Sequence, residues 1–180
     1  MTADLDDSIY DPARQLDTDI IEVLAQCEWI EQGKNLVING KTSSEKSYLA
    51  NALTICVLKQ FKTVQYFKAN GLINELAKAE KLGEYPATLS QMSSYDLLVV
   101  DDFGLMNLDL DKCRNLFEVF DCRDPYISIL LVSQILVNAW YYIFSEHTYA
   151  EASLARVLNE SYPFGNERKE YEEFRTYKQT

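Results

Sequence analysis

Lys46 and Ser47 stand in the stretch NGKTSSEKSYLA, residues 39–50, behind the apolar run Leu36-Val37-Ile38. With Gly40 they match the phosphate-binding pattern G-x-x-x-x-G-K-[ST] at three of its four defined positions. In that pattern backbone N–H groups and a helix N-terminus hold the phosphates. The lysine reaches the β and γ groups, and the hydroxyl binds Mg²⁺. The candidate nucleotide-binding residues are therefore Gly40, Thr42, Ser43, Ser44, Glu45, Lys46 and Ser47, with Ser47 also a candidate Mg²⁺ ligand. Glu45 occupies the place of the second glycine. It sets a side chain where the loop backbone should approach phosphate, and it brings a negative charge toward a polyphosphate. Like charges ~4–5 Å apart repel by about 1 kcal/mol in water and several times that in a drier site. Mg²⁺ and Lys46 offset part of this, so the expectation is weakened ATP binding. A shifted match on Gly40-Lys41-Thr42 would need glycine at position 35, which is Asn35 in the preceding strand.

Two further polar points follow apolar runs. LLVVDDFG, residues 97–104, ends its run in Asp101-Asp102. The first acid suits a Mg²⁺ shell, and the second can orient or deprotonate an attacking water. LLVSQ, residues 130–134, ends in Ser133 and Gln134, either of which can contact that water or the γ-phosphate.

These points require elements that bring them together. Short apolar runs predict strands over 35–39, 63–68, 95–100 and 127–132. Apolar residues at helical spacing predict helices over 18–33, with Gly33 as its stop, and over 46–60, 71–81, 109–122, 137–144 and 149–159. The helix over 71–81 ends near Gly83 and Pro86. Strands alternating with helices predict an α/β fold, a three-layer α/β/α sandwich around a mainly parallel sheet. Ligands of such sheets bind beyond the carboxyl ends of the strands. The three polar points follow three strand ends.

The 180 residues suit one domain with a sizeable core. The single histidine, His147, argues against a histidine-based metal site or catalytic triad. Four widely spaced cysteines, Cys27, Cys56, Cys113 and Cys122, are expected to be reduced thiols. No apolar run reaches the length of a membrane span, and the acidic start MTADLDDSIYDPARQLD lacks signal-peptide order. The expected place is the cytoplasm. The net charge of −11 does not attract DNA by its overall field, so DNA contact would need a local basic patch or a basic partner.

In order along the chain, WIEQGKNLVING, the loop, YDLLVVDDFG, ILLVSQ and TYAEASLARVLN resemble the IstB-like ATP-binding proteins. These are transposition helper ATPases of the AAA+ class of P-loop NTPases, related to the DnaC helicase loaders. The resemblance covers about residues 11–159. It implies an AAA+ core that binds ATP and Mg²⁺, self-associates on DNA and works with a transposase. By position it implies that Gly40, Lys46 and Ser47 belong to Walker A and that Asp101 and Asp102 form Walker B. It also makes Gln134 the sensor and Arg156 an arginine that reaches a neighbouring subunit's nucleotide. The expected organisation is an acidic lead-in over 1–16, the core over 17–165 and a charged tail over 166–180. Departures from the family are Ser43 and Glu45 in place of glycines, an acidic rather than basic start, and Pro163 in a segment that is strand-like in relatives. They weaken the expectation of DNA binding and turnover. Two alternatives stand beside the transposition helper: an inactive AAA+ fold acting by protein binding, and a DnaC-like helicase loader.

Overall fold

The computed structural model describes residues 18–40, 43–123, 127–158 and 161–164, with side chains left undescribed at 18, 43–45, 163 and 164. In chain order the elements are α1 (Thr18–Ala25), α2 (Glu28–Glu31), β1 (Asn35–Asn39), α3 (Ser43–Lys59), β2 (Val64–Lys68), α4 (Ala69–Leu82), α5 (Tyr85–Ser93), β3 (Leu97–Phe103), α6 (Leu110–Asp121), β4 (Ser128–Ser133), a 3-10 helix (Val137–Ile143), α7 (His147–Leu158) and β5 (Ser161–Phe164). The strands form one five-stranded sheet in the order β2-β3-β4-β1-β5, and every neighbouring pair is parallel. This is the expected α/β architecture.

Strand alternation divides the core into two layers. Leu36, Ile38, Leu97, Val99, Leu130 and Val132 pack with α1, α2 and α3. Val37, Leu98, Val100, Ile129 and Leu131 face the opposite side and pack with α4, α6 and α7. β1, β3 and β4 are covered on both faces, which is why they read as unbroken apolar runs.

Five local outcomes differ from the sequence expectations. The helix expected over 18–33 is broken at Cys27, whose φ of 60° is left-handed. The Trp29 indole N–H then donates back to the Leu24 carbonyl at 3.1 Å. Pro86 does not end structure; it sits in the first turn of α5, an element the sequence reading left out. Pro163 does not prevent β5, which pairs with β1 at the sheet edge, where one side needs no ladder donor. The turn over 137–143 is 3-10 rather than α-helical. α3 starts at Ser43, before the expected Lys46.

Two buried polar residues tie the layers together. Asn35 accepts from the Ile129 N–H and donates to the carbonyls of Arg156 and Val157, fastening α7 to the sheet. Arg123 is 1% exposed and donates to the carbonyls of Met92, Tyr95 and Ser128. Burial lowers its pKa to about 10, still far above neutral, so it remains a cation solvated by carbonyls.

Candidate functional site

The carboxyl ends of β1, β3 and β4 lie side by side, and Lys46, Ser47, Asp101, Asp102, Ser133 and Gln134 line one cleft there. Its volume is about 140 Å³, open to solvent. Lys46 and Asp101 are both buried, at 7% and 4% exposure. A buried ammonium and a buried carboxylate at one cleft form a donor set suited to a phosphate and its cation.

Gly40 leads from β1 into the loop. Its φ of 151° lies where glycine is favoured, and a Cβ there would meet nothing within 4 Å, so conformation rather than space calls for the glycine. Its N–H donates to the Ser133 carbonyl at 3.3 Å, joining the loop to the end of β4. Thr42, and the side chains of Ser43, Ser44 and Glu45, lie outside the described residues. Lys46 and Ser47 are the fourth and fifth residues of α3, close to its N-terminus, where the helix dipole favours an anion.

Asp101 and Asp102 are consecutive, so simple alternation would send them to opposite faces of the sheet. β3 solves this with a bulge. Val100 pairs with Leu131 and Phe103 with Ser133, so β3 carries one more residue than β4 over this step. Asp102 has a left-handed φ of 57°. The bulge turns its carboxylate back to the cleft beside Asp101.

Both acids are held from β2, which sequence reasoning missed. The Tyr66 hydroxyl donates to Asp101 Oδ2 at 2.6 Å, and the Asp102 N–H donates to Asp101 Oδ1 at 2.7 Å. The Lys68 ammonium donates to Asp102 Oδ2 at 2.9 Å. Burial first, and then Asp101, raise the Tyr66 pKa, so the phenol stays a donor. The bond to Asp102 raises the Lys68 pKa. The available signal was the alternation Tyr66-Phe67-Lys68, which puts two polar ends on one face. Its meaning depended on β2 lying next to β3.

Ser133 and Gln134 part in role. The Ser133 side chain is fully buried and its hydroxyl donates to the Phe103 carbonyl at 2.7 Å, so it serves the scaffold. Gln134 is half-buried at the cleft. Arg156 is not brought to this cleft. It lies in the last turn of α7, with its carbonyl bonded to Asn35 at the opposite end of β1. Its guanidinium Nε donates to Asp121 Oδ1 at 2.8 Å.

Comparison with known proteins adds to this geometry. A family model described as IstB-like ATP binding protein matches residues 1–170. An insertion sequence ATP-binding protein of Sinorhizobium fredii is 31% identical over 157 residues, covering 87% of this chain and 63% of its own length. The IS1162 ATP-binding protein of Pseudomonas fluorescens is 34% identical over 122 residues, covering 68% of this chain and 53% of its own. The chain thus spans between half and two thirds of the length of these relatives. The crystal structure of the DnaC helicase loader superposes with a TM-score of 0.71 at 20% identity, over 90% of this chain and 95% of that one. That likeness is one of fold. Among the described residues no helix is long and apolar enough to cross a membrane.

Proposed function

The chain belongs to the IstB-like ATP-binding protein family, and from that premise we propose that it binds Mg-ATP at the cleft and serves DNA transposition beside a transposase. The observation that supports this most is the convergence of Lys46, Ser47, Asp101, Asp102 and Gln134 on one cleft. Lys46 and the start of α3 would hold the phosphates. Ser47 and Asp101 would hold Mg²⁺, which when bound neutralises charge on the β- and γ-phosphates. Asp102 orients the attacking water or takes its proton, and Gln134 contacts that water or the γ-phosphate. Arg156, remote from its own cleft, is the residue offered to a neighbouring copy in a self-assembled complex. There it stabilises charge developing on the γ-phosphate. Glu45 weakens nucleotide binding by its charge. On this reading the chain acts in the cytoplasm. Its contact with DNA is weak, because a net charge of −11 opposes it.

A second reading is an AAA+ fold that acts by protein binding without turnover. One observation favours it: both acids are already engaged, Asp101 by Tyr66 and Asp102 by Lys68. A third, a helicase loader, differs in partner. The experiment has two arms. One measures ATP hydrolysis with and without duplex DNA. The other offers the tagged chain to a purified transposase of an insertion sequence and to a replicative helicase. Hydrolysis with capture by the transposase supports the proposal. Capture without hydrolysis supports the second reading, and capture by the helicase alone overturns the assignment to transposition.

A further inference from the structure

Trp140 lies in the 3-10 helix, seven residues beyond β4, and is fully buried. No motif singled it out. Its ring stacks edge-on against Phe103, with centroids 4.8 Å apart and planes at 65°. The indole N–H is shared between the Ile135 carbonyl at 2.9 Å and the Ser133 hydroxyl at 3.2 Å. Ser133 and Ile135 flank Gln134, so one donor grips the chain on both sides of the residue that faces the cleft.

The Ser133 hydroxyl carries this grip further. It has one proton and two lone pairs. The proton goes to the Phe103 carbonyl at 2.7 Å, and the lone pairs accept from the Ile135 N–H at 3.0 Å and from Trp140. Phe103 closes the bulge that re-aims Asp102. The same Ser133 offers its carbonyl to the Gly40 N–H. Gly104, next in chain, has a φ of 96°, and a Cβ there would come 3.0 Å from Ile135 and 3.1 Å from Ile143. The turn carrying Gln134 and the end of β3 are therefore locked face to face.

We propose that Trp140 is a positioning residue of the nucleotide site: its indole N–H, through Ser133, sets Gln134 and the Asp102 bulge in register with each other. This rests on the nucleotide reading above. Both positioned groups face the terminal phosphate on that reading, so the relay serves discrimination of a triphosphate from a diphosphate. It does not serve affinity for nucleotide as such.

The test is the ratio of affinities for ADP and for a non-hydrolysable ATP analogue, both with Mg²⁺, on the full chain. The variants are Trp140→Phe, which keeps a ring and removes the donor, and Ser133→Ala, which breaks the relay with little change of volume. Gln134→Ala is the reference, and Leu76→Ala in α4 is the control for a plain core defect. The expected result is a loss of preference for the analogue of about fivefold or more in both relay variants, the size of one hydrogen bond, with ADP binding within about twofold of the native chain. The double variant Trp140→Phe/Gln134→Ala should lose less than the sum of the two single losses, because the part of the Trp140 effect that runs through Gln134 is already gone. Should Trp140→Phe fail to fold, Ser133→Ala decides. A retained preference overturns the proposal, as does a parallel loss of both affinities like that of Leu76→Ala. A native chain that binds the two nucleotides equally also overturns it while leaving the nucleotide reading in place. A native chain that binds neither overturns both.

Discussion

The Tyr66 hydroxyl lies 2.6 Å from Asp101 Oδ2, across the parallel pair of β2 and β3. Asp101 is almost wholly buried, and its other oxygen accepts the Asp102 N–H. The carboxylate is thereby held in one orientation before any cation arrives. Groups that orient a metal ligand from behind commonly account for 10–100-fold in metal affinity. Tyr66→Phe should therefore raise the Mg²⁺ concentration needed for nucleotide binding by about 10-fold or more. A Mg²⁺ titration at fixed nucleotide measures this. An unchanged midpoint would show that Asp101 orients itself.

Glu45 is predicted to oppose nucleotide by charge. Removing ~1–2 kcal/mol of repulsion corresponds to roughly 5- to 30-fold in affinity. Glu45→Gly should tighten Mg-ATP binding by that factor, and more at low salt than at high salt. Equal affinity in the two chains would mean that the loop keeps the carboxylate away from phosphate.

Asp96 joins the starts of β2 and β3, accepting from both the N–H and the hydroxyl of Thr63 at 2.7 and 2.8 Å. The Thr63 backbone bond is the largest cause lowering its pKa below the ordinary carboxylate value. A depressed folded pKa contributes stability above the unfolded value and loses it as pH falls through the folded one. Asp96→Asn should therefore lower the melting temperature at neutral pH. The difference from the native chain should shrink as pH falls below about 4. Parallel melting curves for the two chains at all pH values would contradict this.

Arg123 is buried and serves three carbonyls. Arg123→Leu would leave the Met92, Tyr95 and Ser128 carbonyls without this donor. The expected cost is about 3–5 kcal/mol, comparable to breaking a buried charged network, read as the shift of a denaturant midpoint. A change under about 1 kcal/mol would show that the three carbonyls find other partners.

Much of this molecule was legible from local pattern. β1, β3 and β4 are apolar runs because helices cover both faces, and the polar residues that end them meet because parallel strands end together. What was not legible depends on neighbours in space. Cys27 breaks a helix that keeps its apolar period through Trp29, since period says nothing about a left-handed residue. Pro86 looked like a stop and is an N-terminal helix residue, because proline's missing N–H costs nothing in a first turn. Pro163 looked unfit for a strand and pairs at an edge.

The site shows the same division. Lys46, Ser47, Asp101, Asp102 and Gln134 stand at positions that a motif reading can assign, and they share one cleft. Tyr66, Lys68 and Trp140 support them from places no motif covers. Tyr66 and Lys68 matter only because the chain order places β2 next to β3. Trp140 matters because the loop after β4 folds back onto Phe103. Ser133, which the strand end alone set beside Gln134 as a contact for the water or the γ-phosphate, is spent on that scaffold.

The most direct measurement is a calorimetric titration of Mg-ATP into the native chain and into Lys46→Ala. Weak but measurable binding in the native chain, abolished in the variant, is the predicted result. Lys46 is the buried cation of the cleft and is expected to carry the phosphate contact. No heat in either chain, or binding that survives loss of Lys46, would contradict a phosphate site at the carboxyl ends of β1, β3 and β4.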